Sequence, residues 1–298
     1  MKKAVSLLLA LVMCLSLCAC GKSKEVKAVE EMIAAIGEVS LESKDAITAA
    51  EEAFRALTSE EKEQAGNYFV LAESKDTLEE LEEIEEQRLL EEARQAATAN
   101  GQKAYDNIKN AWQIAEQIGH SLYNVWHGAV WEKDEMVAKG IQFFVDETTL
   151  SEQEVIEGIA SRSYVNTQFT KTGVYWIQLS EEDKQAYREY ATEAIEKACR
   201  SKQCMAMDDA LWSMVNAYLL NGKIGTAQEY LKTAQEAMKE MPEDYEHYPT
   251  LKGFYTTASS LTDFCKSPSG NLNQYATLLN DYCKEARDYM NDLDFVFE

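Results

Sequence analysis

The chain has 298 residues, 52 of them acidic against 29 basic, for a formal charge of −23 at pH 7. That balance argues against nucleic acid as a partner, because such affinity comes mainly from Lys and Arg on phosphates. It argues equally against an anionic lipid surface held by charge alone. With 46% hydrophobic residues the chain is no disordered acidic tail, and its length suits one large or two moderate domains. The only prolines are Pro242, Pro249 and Pro268, and Ala, Glu, Leu, Lys and Gln dominate. These are strong helix formers, and few runs of Val, Ile and Thr alternate with polar residues. The predicted class is all-α: an N-terminal three-helix module joined by a long acidic helix to an α-helical bundle or short α-solenoid.

Lys2 and Lys3 precede an apolar run from Ala4 to Leu17 that only Ser6 and Ser16 interrupt. The run is short of the ~20 residues that a membrane-spanning helix needs, so it reads as a secretion signal. Leu17-Cys18-Ala19-Cys20 resembles the bacterial lipobox, an aliphatic residue and two small ones before a cysteine. The resemblance implies cleavage after residue 19 and diacylglycerol on the Cys20 sulfur, with Cys18 a tolerated small residue. It places the protein on the extracytoplasmic face of a bacterial membrane, where two acyl chains give a durable anchor. Losing Lys2 and Lys3 would leave 27 basic against 52 acidic side chains, a charge of −25.

Residues 20–85 are expected to form a module. Val26, Val29, Ile33 and Ile36 recur at helical spacing, and Gly37 offers a left-handed cap. A second helix near Ser43 should bury Ile47, Ala50, Phe54 and Leu57. Thr58 and Glu61 form a capping box opening a short helix, which Gly66 and Asn67 end. An acidic helix then starts near Ser74, with Leu78, Leu81 and Ile84 on its inner face. The stretch "IAAIGEVSLESKDAITAAEEAFRALTSEEKEQAGN" resembles a three-helix module, often repeated, of Gram-positive surface proteins and lipoproteins. The resemblance implies a spacer, here a stalk behind the anchor, with no catalytic residues to carry over. The Glu-rich run "LEELEEIEEQRLLEEAR" reads as a solvated face with Leu81, Ile84 and Leu89 opposite it. Glutamates spread around a straight helix diverge, so no cation site is expected there.

Residues 86–298 are expected to form the main domain. "AYDNIKNAWQIAEQIGHSLYNVWHGAVW" predicts one long helix or two in succession. Ser151 with Glu154, and Ser180 with Asp183, set helix starts near 151 and 180. Between them "SYVNTQFTKTGVYWIQL" is assigned as helical although its residues lean towards β. "ALWSMVNAYLLNGKIGTAQEYLKTAQEAM", residues 210–238, resembles a tetratricopeptide hairpin. Gly222 falls at its turn, and Ala227, Tyr230 and Ala234 follow the small-large-small pattern of the second helix. Val215 departs from the small residue usual there, Pro242 comes late, and one copy does not transfer the family's peptide binding. Two last helices are expected near 250–266 and 271–292.

The residues carry no recognisable catalytic set. There is no Gly-x-Gly-x-x-Gly, phosphate loop, nucleophile elbow or His-Glu-x-x-His. His120 and His127 stand about 10 Å apart along a helix, too far to share one zinc ion. Glu116 and His120, at i and i+4, could share an ion, but the sequence indicates no third ligand and no metal site is expected. Cys199, Cys204, Cys265 and Cys283 are assigned as free, largely buried thiols. Cys199 and Cys204 would diverge on one helix, and Cys265 and Cys283 would not sit level across a hairpin.

Aromatic side chains are the remaining candidates. Helically spaced aromatics are usually core. Where they serve a ligand, Trp112, Tyr123, Trp126, His127 and Trp131 are the expected residues. The resulting expectation is a non-enzymatic, membrane-anchored surface lipoprotein without cofactor, offering a scaffold or a surface to an extracellular protein or cell-wall glycan. The alternative is an extracytoplasmic enzyme or ligand-binding lipoprotein with its site within 101–298.

Overall fold

The computed structural model describes residues 21–297; the leader and Cys20 lie outside the described residues. Among them every regular element is helical. The helices are α1 (Lys24–Ile36), α2 (Lys44–Ala56), α3 (Ser59–Gln64), α4 (Tyr68–Trp131), α5 (Lys133–Lys139) and α6 (Ile141–Glu147). They continue as α7 (Glu152–Tyr164), α8 (Glu181–Ser201), α9 (Met207–Leu220), α10 (Lys223–Lys239), α11 (Tyr248–Lys266) and α12 (Leu272–Phe297). No helix among the described residues is long and apolar enough to cross a membrane. Two compact units divide between Arg94 and Gln95, a point within α4.

The first unit is built as amphipathic periodicity dictates. Val26, Val29, Ile33 and Ile36 of α1 meet Ile47 and Ala50 of α2, Leu57 beyond it, and Leu71 and Leu78 of α4. Gly37 takes a positive φ of 66° after α1. Thr58 and Glu61 form the expected reciprocal box, the Glu61 N–H donating to Thr58 Oγ1 and the Thr58 N–H to Glu61 Oε2. Two expectations change. The helix expected from Ser74 begins at Tyr68, because Leu71 is buried with α1 and α2 and the Tyr68 ring stacks on Phe54 at 4.2 Å. Nor does the inner face continue along it: Leu78 is buried, but Ile84 and Leu89 are more than half exposed. A periodic stripe buries only where another element lies over it.

The second unit has one continuous core. Residues from Gln95 onward supply Tyr105, Ile108, Trp112, Ala115, Ile118, Leu122 and Trp126 of α4, at spacings of three and four. They pack with Phe254, Leu261 and Cys265 of α11 and with Tyr275, Leu279 and Cys283 of α12. The Tyr275 hydroxyl donates to the Gly119 carbonyl at 3.2 Å, and the Cys265 thiol to that of Ala115 at 3.3 Å. Helices α7 and α8 start where Ser151 and Ser180 cap them. Helices α9 and α10 form the expected hairpin about Gly222, yet α9 packs most extensively on α7. Gly158 makes that crossing possible. A Cβ there would lie 2.3 Å from the Ser213 carbonyl oxygen and 2.7 Å from the Ala217 Cβ.

Candidate functional site

The segment after α7 departs from regular helix. Val165–Phe169 forms a π-helical turn, a local widening that recurs at functional sites. One further turn, Thr170–Thr172, ends at Gly173, whose φ of 66° and ψ of 5° are left-handed and suit glycine. Tyr175 is extended, and Trp176–Gln178 makes a 3₁₀ turn before α8. The β-branched residues Thr167, Thr170, Thr172 and Val174 weaken the helix without making a strand. The Tyr164 hydroxyl ties the return of the chain down by donating to the Val174 carbonyl at 2.8 Å.

This detour leaves an apolar depression of about 280 Å³ between the segment and α9. Val165, Phe169, Trp176, Ile177, Leu219 and Leu220 supply its walls. Its rim is open: Ile177 is 73% exposed, Tyr175 60% and Leu219 47%. Trp176 itself is buried, in a cluster with Tyr164 and Tyr187 whose ring centroids lie 5.3–6.0 Å apart. A polar depression of about 390 Å³ shares Trp176, Ile177 and Leu220 with the first, and adds Glu157, Lys184 and Arg188.

The polar half is already internally paired. The Trp176 indole N–H donates to Glu157 Oε1 at 3.0 Å, and Arg188 Nη2 donates to the same oxygen at 3.1 Å. Arg188 also reaches Glu181, which accepts from Lys184 at 2.8 Å. On the neighbouring cap, the Ser151 backbone N–H holds the Glu154 carboxyl below the ordinary carboxylate range, assisted by Asn221. The charges therefore fix the shape of the wall instead of offering an unpaired ion.

The five residues expected to bind a ligand do not share one surface. Trp112 and Trp126 are core side chains, 6% and 4% exposed. The Trp126 ring lies 5.4 Å from that of Tyr275, and its indole N–H points at Met207 Sδ at 2.8 Å. Tyr123 and His127 are half-buried neighbours with ring centroids 5.8 Å apart, and His127 Nδ1 stands 3.3 Å from Glu132. Only Trp131, 72% exposed, is fully at the surface. Helical spacing put these aromatics on one strip, and packing against other helices, Tyr275 of α12 and Met207 of α9 beside Trp126 among them, decided which of them stay outside.

What the sequence reading missed are Phe169, Ile177, Leu219 and Leu220 as a surface. The available signal was the loss of apolar periodicity across "SYVNTQFTKTGVYWIQL", with Gly173 inside it.

The four cysteines among the described residues are free, as expected, with Cys265 and Cys283 buried and Cys199 and Cys204 half-buried. The assumed divergence of Cys199 and Cys204 fails, because α8 ends at Ser201 and Lys202 turns left-handed at φ 51°. Both thiols consequently line one apolar cavity of about 210 Å³ with Met136, Phe144 and Ile195.

Cys283 has separate company. A carboxylate oxygen of Glu116, a ring nitrogen of His120 and the Cys283 sulfur all lie within 4.8 Å of one another. Burial, with the Glu116 carboxylate beside it, pushes the Cys283 thiol up to about 12. Arg287 Nη2 donates to Glu116 Oε1 at 2.8 Å from the next turn of α12.

Comparison of the chain with protein-family models, with curated proteins and with solved structures gave no match.

Proposed function

We propose that the protein is a lipid-anchored, extracytoplasmic binding protein without catalytic activity. In this reading Cys20 holds it to the membrane, the first unit serves as a spacer, and the second unit receives a segment of another protein. The observation that carries the reading is the open apolar depression at Phe169, Trp176, Ile177 and Leu219 beside a rigid polar wall. Its chemistry favours a polypeptide over a sugar. Ser161 and Asn216 add polar groups to the lining, but a sugar hydroxyl placed against Val165, Phe169, Ile177 and Leu220 loses water without gaining a partner there, at a cost of roughly 1–3 kcal/mol each. An apolar side chain gains there instead, at about 25 cal/mol per Å² removed from water. The hydrogen-bonding edge of Trp176 is already occupied by Glu157, which removes the donor a stacked sugar would use.

The test uses the 21–298 protein and a displayed library of random peptides. Selected peptides are expected to carry a bulky apolar residue, to bind as synthetic peptides by calorimetry, and to lose at least tenfold in affinity in Leu219→Asp. Retained affinity in Leu219→Asp and Ile177→Asp, or binding of soluble cell-wall glycan fragments with no peptide selected, would overturn the reading. For the anchor, Cys20→Ala is expected to release the protein from the membrane fraction into the medium.

A further inference from the structure

We propose that Glu116, His120 and Cys283 form a binding site for one borderline-soft divalent cation of the zinc class, with a fourth position left to solvent. Glu116 and His120 lie four residues apart on α4, so both side chains project from one helical face. Cys283 comes from α12, more than 160 residues away in sequence, and its side chain is only 2% exposed. The third ligand therefore exists only because α12 packs on α4.

The donor set selects the ion. One thiolate sulfur, one imidazole nitrogen and one carboxylate oxygen match the ligands that zinc takes, and zinc also accepts three protein ligands with water in the fourth position. Calcium and magnesium require oxygen donors throughout and are poorly served here. Tetrahedral bonds of about 2.0–2.3 Å place the donor atoms about 3.3–3.8 Å apart. The three atoms, all within 4.8 Å of one another, need to close by at most about 1.5 Å. The exposed His120 can supply that movement about its own torsions.

The surroundings are arranged for the same purpose. Arg287 Nη2 donates to Glu116 Oε1 at 2.8 Å, which orients the carboxylate as a partner behind a ligand does. Binding converts the Cys283 thiol to a thiolate as the metal–sulfur bond forms, and the displaced proton passes to water.

The experiment titrates Co²⁺, then Zn²⁺, into the reduced, untagged 21–298 protein. One equivalent of Co²⁺ is expected to give a thiolate-to-metal charge-transfer band and the visible bands of a four-coordinate ion, both bleached by one equivalent of Zn²⁺. His120→Ala, a surface change that leaves the core intact, is expected to weaken Zn²⁺ binding at least tenfold, whereas His127→Ala leaves it unchanged. Cys283→Ser is expected to abolish the charge-transfer band, and near-ultraviolet circular dichroism verifies its fold. No charge-transfer band, or a band unmoved by His120→Ala, overturns the proposal. So does a band lost in Cys199→Ser or Cys204→Ser instead, which would move the metal to the apolar cavity.

Discussion

The two units solve the same problem with different materials. Residues 21–94 contain three aromatic side chains, Phe54, Tyr68 and Phe69, and none of them is fully buried. The core there is Val, Ile, Leu and Ala on local amphipathic stripes. The second unit buries Tyr105, Phe143, Tyr218, Phe254 and Tyr275 almost completely, and needs glycine where helices meet closely. An aliphatic stripe on a short helix has one obvious fate, burial against its neighbour. A large aromatic side chain can finish in the core or at a surface, and only its packing partner chooses between them. The second unit holds both the apolar depression and the Glu116–His120–Cys283 cluster.

This contrast can be broken by experiment, because all five tryptophans lie beyond residue 94. Tryptophan fluorescence reports the second unit alone, while far-ultraviolet circular dichroism reports both. The largest effect is expected from Phe254→Ala, about 3–5 kcal/mol, since that ring is fully buried. It should lower the fluorescence transition in denaturant. Ile33→Ala, at about 2–5 kcal/mol, should lower only the circular-dichroism component that fluorescence does not see. If both substitutions move both signals together, the units unfold as one and the contrast is wrong.

Gly158→Ala comes next, with about 1–3 kcal/mol lost. The new methyl meets the Ser213 carbonyl oxygen, a backbone atom that cannot turn aside, so α7 and α9 must separate. The fluorescence midpoint should fall, and peptide affinity should fall with it because α9 carries Leu219. A midpoint equal to that of the parent protein would show that the α7–α9 crossing is looser than its geometry.

The smallest effect is a pH dependence. Glu154 is more acidic folded than unfolded because the Ser151 N–H favours its charged form. Its contribution is therefore complete above the ordinary glutamate value of about 4.3 and disappears as pH falls through the lower folded value. Glu154→Gln should flatten the fluorescence midpoint over that acidic range by about 1 kcal/mol or less. An unchanged slope would assign the acid sensitivity to other carboxylates.

The sequence by itself determined the helical class, the caps at Thr58, Ser151 and Ser180, the stripe from Val26 to Ile36 and the hairpin about Gly222. Each depends on groups within one or two turns of one another, where hydrogen bonding and periodicity act locally. The tertiary structure alone decided that Trp112 and Trp126 are core, that Ile84 and Leu89 stay outside, and that Cys283 stands beside Glu116 and His120. Those outcomes depend on which helix lies over which, and surface is removed from water only by a partner that no local spacing names.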